Sequence, residues 1–329
     1  SAYATSSLRM TEGVLLRGGG NTHSNNEYTI PLRKKCNTTF AEVVSKENLY
    51  HAWDDFVRGK RKRPDVNIFA LRLSDNIADL YQDLTSGNYT HGWYEEYMIC
   101  DPKKRIIHKA SVRDRVVHRL LYNALYPYFD QRFFHDSYSC RIGKGTHRAR
   151  DRFRTFANLV SRNYTKPCYA LKFDIKQCFA NIDPLILKSL LRTHISDERL
   201  CILFEKIIDS FENGLPLGNL TSQLFINIYF HELDHYVTHT LRAETYIRYA
   251  DDVVVLHSDR AYLEQLFLKI NQFLSEVLCS IAHKVEIRSL YAGVDVLGEV
   301  FFAEYKRLRR STERRMKRRH MCAIPMFES

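Results

Sequence analysis

Tyr249-Ala250-Asp251-Asp252 stands between Thr245-Tyr246-Ile247 and Val253-Val254-Val255-Leu256, two apolar runs of strand character flanking a turn with adjacent carboxylates. Such a pattern predicts an antiparallel hairpin, and a buried hairpin holds its turn carboxylates rigidly at one place. Asp is also a favoured turn residue, so the tetrapeptide alone fits either a metal-binding turn or an ordinary one. Upstream, Cys168-Tyr169-Ala170-Leu171-Lys172-Phe173-Asp174-Ile175 is a near-continuous apolar run that ends in one carboxylate. A strand of that composition is largely buried, and a buried carboxylate needs a cation, a salt bridge or hydrogen bonds. If the two elements are neighbours in one sheet, Asp174, Asp251 and Asp252 converge on a single point. Hard oxygen ligands without nearby His or Cys suit Mg²⁺. Two such ions, about 3.5–4 Å apart, activate an attacking hydroxyl and stabilise the leaving oxygen of an in-line phosphoryl transfer.

The 329 residues, 45% of them apolar, are enough for two or three packed substructures with a sizeable core. Lys and Arg number 49 against 38 Asp and Glu, and the resulting net charge of +11 favours a polyanionic partner such as nucleic acid. The eight cysteines are scattered without a Cys-x-x-Cys pair and read as reduced core thiols. No apolar run reaches the length of a membrane span and no signal pattern opens the chain. These features predict a cytoplasmic protein with no membrane partner.

Residues 1–38 form a polar leader, expected to be disordered, around Gly18-Gly19-Gly20-Asn21-Thr22-His23-Ser24-Asn25-Asn26. A helical stretch over about 65–84 ends at Ser86-Gly87-Asn88, where Gly is a stop signal. Tyr97-Met98-Ile99-Cys100 and Arg105-Ile106-Ile107 predict a hairpin turning at Asp101-Pro102-Lys103-Lys104. Helices are expected over 112–126, 148–163, 184–192, 221–241 and 261–278. The last segment, 306–320, contains nine Lys or Arg and one Glu, a basic helix or a disordered tail. Strands alternating with helices indicate an α+β fold, a sheet backed by helices.

The order Phe173-Asp174-Ile175-Lys176-Gln177-Cys178-Phe179, Gly214-Leu215-Pro216-Leu217-Gly218-Asn219-Leu220-Thr221-Ser222-Gln223, Tyr249-Ala250-Asp251-Asp252 and Val296-Leu297-Gly298 resembles the motif series of reverse transcriptases. The resemblance implies a right-hand polymerase fold with fingers (39–166 with the N-terminal region), a palm with an antiparallel sheet (167–303) and a truncated thumb (304–329). It also implies an RNA-directed DNA polymerase with two Mg²⁺ ions, replaceable by Mn²⁺, at Asp174, Ile175, Asp251 and Asp252. Phe179 matches the aromatic residue that excludes a ribose 2′-hydroxyl. Arg105, assisted by Lys103, matches the group that pairs with the incoming triphosphate, where a guanidinium fork suits phosphate. Leu217, Gly218, Ser222 and Gln223 match the loop around the nucleotide and templating base, and the absent side chain of Gly218 lets backbone come close. Lys284 matches a general acid toward pyrophosphate. Leu297 and Gly298 match the hairpin that grips the primer end, and Arg141 and Lys144 fall with the template and primer.

Group II intron and retron enzymes read Pro-Gln-Gly and Ser-Pro, where this chain has Pro216-Leu217-Gly218 and Ser222-Gln223. The latter pattern is similar to that of diversity-generating retroelement reverse transcriptases, which copy a template RNA into cDNA with frequent errors opposite adenine. Glu47-Asn48-Leu49, Gly59-Lys60-Arg61, Ser86-Gly87-Asn88-Tyr89 and Gly143-Lys144-Gly145-Thr146-His147 extend this resemblance over roughly residues 40–315. The family implies dNTPs, a primer, a structured template RNA and a small basic accessory protein as partners, in a bacterial, archaeal or phage-encoded system. A Gln at position 217 can hydrogen-bond in the minor groove, whereas Leu217 supplies only shape, and loss of a polar check lowers discrimination. The alternatives are a group II intron or retron enzyme, and a silent nucleic-acid-binding remnant. Val14–Gly20 with Asn21, Asn25 and Asn26 also resembles the variable segment of target proteins of these retroelements, and the absence of an initial Met leaves a translated repeat as a reading of the leader.

Overall fold

The computed structural model describes residues 34–101 and 103–323, together with a short antiparallel pairing of Val14–Leu15 with Thr29–Ile30. The rest of the leader lies outside the described residues. The chain forms two compact units, each assembled from three separate stretches. One comprises Ser1–Phe133, Gln177–Leu233 and Phe273–Ile281; the other comprises Phe134–Lys176, Asp234–Gln272 and Ala282–Ser329.

The first unit is mainly helical. Helix Lys46–Val57, capped by the Ser45 hydroxyl, buries Leu49, Ala52, Trp53, Phe56 and Val57. It packs on the long helix Val112–Asp130, whose Val116, Val117, Leu120, Leu121 and Leu125 recur at helical spacing and are buried. The single helix expected over 65–84 is two, Pro64–Leu71 and Leu73–Ser86. The break at Arg72 (φ −125°, ψ 42°) is stabilised by the Asn76 amide, which donates to the Phe69 carbonyl at 2.9 Å, and Gly87 ends the second helix in the left-handed conformation at φ 79°. The exposed hairpin Glu95–Ile99/Arg105–Lys109 has the expected turn, with Ile99 opposite Arg105. Helix Glu198–Ile208 follows Pro184–His194 and starts at an Asp197 cap, a helix the sequence reading omitted.

The second unit holds a four-stranded antiparallel sheet in the order Tyr246–Tyr249, Asp252–His257, Tyr169–Ile175, Ala282–Ser289. Strand alternation divides the central strand cleanly. Leu171 and Phe173 are fully buried on one face, with Phe173 against Phe267. On the other face Cys168 and Ala170 join Ile247, Val254 and Leu256 beneath Ala149, Phe153, Phe156 and Ala157 of helix Thr146–Ser161. That same face continues into Lys172 and Asp174, so one strand runs from apolar core to charge within seven residues. A smaller sheet, Val294–Val296/Glu299–Phe301/Lys306–Leu308, adds Val294, Val296 and Phe301 to the same cluster. Leu297 (φ 48°) and Gly298 (φ 92°) form its tight two-residue turn. The basic end segment is this last strand followed by helix Arg310–Ala323.

Among the seven described cysteines, Cys36, Cys168, Cys178 and Cys201 are buried, and none forms a disulfide. Among the described residues no helix is long and apolar enough to cross a membrane.

Candidate active site

Strand register brings Asp174 and Asp252 together at one end of the four-stranded sheet, with Asp251 in the adjoining turn. Asp174 lies directly opposite Asp252, and the Ile175 amide donates to the Asp251 carbonyl at 3.1 Å. The hairpin turns in two residues, Ala250 and Asp251, between the paired Tyr249 and Asp252. Ala250 sits at φ 54°, a region that costs an L-residue about 1–2 kcal/mol. A fully buried ion pair holds it there. Arg248 donates from Nε to Asp234 Oδ1 and from Nη2 to Asp234 Oδ2, both at 2.7 Å, and from Nη1 to the Ala250 carbonyl at 3.2 Å. Its Nη2 also reaches the Ser137 hydroxyl, while Tyr246 donates to Asp234 Oδ1 at 2.8 Å. Both charged side chains are 0% exposed. Sequence reading missed Asp234, which lies in a continuous helical pattern fourteen residues from its partner.

Burial, and then the neighbouring Asp251 and Asp174, push the Asp252 carboxyl above the usual range, against the opposing pull of Lys172 and Arg309. Lys284 donates to Asp174 Oδ2 at 3.0 Å. It does so from a β-bulge, where the pairing register shifts between Lys172 and Asp174 and Lys284 takes φ 49°. Bulges of this kind re-aim a side chain. The other oxygen, Asp174 Oδ1, is buried without a hydrogen-bond partner. Lys172, Asp174, Asp252, Lys284, Val285 and Glu286 line a cavity of about 330 Å³. Among the described residues no three His, Cys, Asp or Glu side chains form a ready-made metal cage. The donor set nonetheless fits a hard divalent cation: carboxylate oxygens, one of them orphaned, and an Asp252 carboxyl raised by burial and by its like-charged neighbours.

Residues 101–299 match the family described as reverse transcriptase (RNA-dependent DNA polymerase), which is more than half of the chain. The chain belongs to the reverse transcriptase family. It is 31% identical over 144 residues to an uncharacterized 91 kDa protein in the cob intron of Schizosaccharomyces pombe, covering 41% of this chain and 17% of that protein. It is 27% identical over 179 residues to the Escherichia coli protein YkfC, covering 50% and 46%, and 33% identical over 93 residues to the group II intron-encoded protein LtrA of Lactococcus lactis, covering 25% and 16%. A telomerase from Candida albicans, solved in complex with a fragment of telomeric RNA, superposes with TM-score 0.50 at 12% identity, over 66% of this chain and 45% of that one. The chain thus spans less than half the length of these curated relatives. The fold is that of the right-hand polymerases.

The remaining candidate residues of this reverse transcriptase chain fall into both units. In the second, Leu297 packs on the apolar cluster and Gly298 accepts at its carbonyl from the Arg309 amide at 2.9 Å. Arg141 donates to the Phe134 and Ser137 carbonyls and Lys144 to the His135 carbonyl, so both have partners within the chain. In the first, Lys103 and Arg105 are exposed at the hairpin tip. The half-buried Phe179 accepts at its carbonyl from the Leu215 amide at 2.7 Å, and Gly214 (φ 67°) comes so near that an added Cβ would stand 2.3 Å from that oxygen. The same loop docks on the exposed hairpin: the His108 amide donates to the Leu217 carbonyl at 2.9 Å and Asn219 donates to the His108 carbonyl at 3.1 Å. At Gly218 (φ 113°) an added Cβ would lie 2.6 Å from Ile107 Cγ2. Within this unit the close neighbour that Gly218 accommodates is therefore the hairpin. Ser222 is buried and Gln223 half-buried at the start of helix Leu220–His235. Lys172, within the strand expected to be largely buried, is half-buried and lines the carboxylate cavity.

Proposed function

We propose that this chain is an RNA-directed DNA polymerase that copies a template RNA into error-prone cDNA, in the manner of diversity-generating retroelements. The observation that carries the reading is the cross-strand pairing of Asp174 with Asp252, with Asp251 in the adjoining turn, in a member of the reverse transcriptase family. Asp174, Asp251, Asp252 and the Ile175 backbone would hold two Mg²⁺ ions. When bound, these ions supply Lewis-acid activation of the primer hydroxyl and charge neutralisation at the leaving pyrophosphate.

The chain's own residues do the rest. Arg105 and Lys103 bind the triphosphate, with the guanidinium forking onto its oxygens. Lys284, already beside Asp174, gives a proton to the departing pyrophosphate. Phe179 closes the space of a 2′-hydroxyl. Leu217, Gly218, Ser222 and Gln223 shape the pocket of the nascent base pair. Arg141, Lys144, Leu297 and Gly298 hold template and primer. Residues 39–166 serve as fingers, 167–303 as palm and 304–329 as the start of a thumb, with a small basic accessory protein joining the template RNA as partner.

A group II intron-type polymerase is the second reading, favoured by the 33% identity to the intron-encoded protein LtrA. The two differ at Leu217 and Gln223, where the intron-type pattern has Gln and Pro. Primer extension on RNA tests the chemistry: Asp251→Asn abolishes Mg²⁺-dependent synthesis while RNA binding persists, and near-normal incorporation by the variant refutes the metal assignment. Sequencing the cDNA tests the subclass. Leu217→Gln lowers errors opposite template adenine more than opposite other bases, and uniformly accurate cDNA from the unmutated chain favours the intron-type reading.

A further inference from the structure

We propose that Lys172 binds the phosphodiester of the primer's 3′-terminal nucleotide, the strand whose hydroxyl attacks. This deepens the polymerase reading and rests on it. The cavity at the carboxylates contains four charged neighbours besides Asp252. Lys284 is committed to Asp174 at 3.0 Å, and Glu286 to Arg288 at 3.0 Å. Lys172 is the remaining one. Its side chain is half-buried and acts on Asp252 only at longer range, with no carboxylate among the described residues within salt-bridge distance. An ammonium outside contact distance of any carboxylate keeps its donors available for a phosphate brought by a substrate.

Position decides which phosphate. Along the central strand Ala170, Lys172 and Asp174 point to one face, successive members roughly 7 Å apart. Ala170 belongs to the apolar cluster of Val294 and Val296, against which Leu297 packs. Lys172 therefore lies between the primer-gripping hairpin and the carboxylate that receives the primer end. A strand running from Leu297–Gly298 to Asp174 passes its last phosphate over Lys172, whereas Lys284 is assigned to the departing pyrophosphate. Lys172 is thus a substrate-binding residue whose role differs from charge compensation of Asp252.

The test uses the full chain, a DNA primer annealed to an RNA template, and binding measured by fluorescence anisotropy without nucleotide. Lys172→Gln weakens binding about tenfold, as expected for loss of one charge-assisted contact, and reduces the slope of log K against log salt by about one. A neutral methylphosphonate beneath the primer's terminal nucleotide weakens the unmutated protein by a similar factor and Lys172→Gln no further. Lys172→Arg retains both the affinity and the sensitivity to the neutral linkage. Equal penalties for the neutral linkage in the unmutated protein and in Lys172→Gln, or an unchanged salt slope, overturn the proposal. Because the linkage effect on the unmutated protein needs no variant and no turnover, it stands apart from the chemistry. Failure of the unmutated chain to extend a bound primer refutes the polymerase reading and leaves the phosphate contact to be judged by binding.

Discussion

The buried Arg248–Asp234 pair gives the sharpest quantitative expectation. Asp234→Asn keeps side-chain volume, so no cavity contributes, but it removes the carboxylate paired with a guanidinium of 0% exposure. Breaking a buried pair by neutralising one partner costs about 3–5 kcal/mol, a large share of the roughly 5–15 kcal/mol that keeps a domain folded. At about 2–4 °C per kcal/mol in chains of 150–250 residues, the melting temperature drops on the order of 10 °C. Replacing both partners, Asp234→Leu with Arg248→Met, removes the unpaired charge and recovers much of the loss. The Ala250 carbonyl and the Ser137 and Tyr246 hydroxyls still lose their partners, each worth about 1–3 kcal/mol if left unsatisfied. The double variant therefore folds but synthesises DNA slowly, since the turn bearing Asp251 is no longer held. Urea unfolding of the three proteins, paired with primer extension, reads both effects. An Asp234→Asn variant within about 1 kcal/mol of the unmutated protein would refute the claim that this pair is structurally essential.

Three other outcomes follow from geometry and charge. Asp252 has a raised carboxyl in the fold, so its charge costs stability above the ordinary carboxylate value of 3.8, and the cost disappears as pH falls below the raised value. Asp252→Asn consequently melts higher than the unmutated chain in EDTA at neutral pH, and the gap closes in acid, while synthesis is lost. His118, 1% exposed, is pushed down to about 3 by burial and then by His91, whose Nε2 stands 3.1 Å away. The unfolded chain takes up this proton near pH 6.5 and the folded chain does not, so stability falls between 6.5 and about 3; His118→Gln flattens that slope in urea titrations at several pH values. Gly59→Ala meets only backbone strain, since nothing lies within 4 Å of an added Cβ, whereas Gly218→Ala also strikes Ile107. The second substitution is the more destabilising by about 1–3 kcal/mol, and equal urea midpoints would argue against the docking of this loop on the hairpin.

The strand Tyr169–Ile175, the Asp251-Asp252 hairpin and the Ile99–Arg105 hairpin were legible because period-two apolar patterns and turn residues are local signals. The pairing of Asp174 with Asp252 was legible only on the assumption that two strands are neighbours, which the register supplies. Arg72 carries no Gly or Pro to mark the helix break. Asp234 resembles any polar residue of an amphipathic helix until its partner is known. The bulge at Lys284 depends on a left-handed non-glycine residue, for which no residue type is a signal. Lys172 sits in an apolar run, and alternation alone does not say where along a strand the cover of the core ends. The assembly of each unit from three stretches is likewise invisible in chain order.

The central strand also has a history during synthesis. Tyr169–Ile175 is made before both of its neighbours, Asp252–His257 and Ala282–Ser289. At about 5–20 residues per second, the wait for the second neighbour lasts roughly 5–20 s. Through that interval a seven-residue run of strong strand character has unpaired edges, the sort of segment that recruits copies of itself. Lys172 and Asp174 are its only charges, and charges within such runs act as gatekeepers against aggregation. The residues assigned to substrate and metal in the finished protein thus also guard the nascent one. Variants that neutralise both would be expected to lose soluble yield before they lose anything measurable in the folded state.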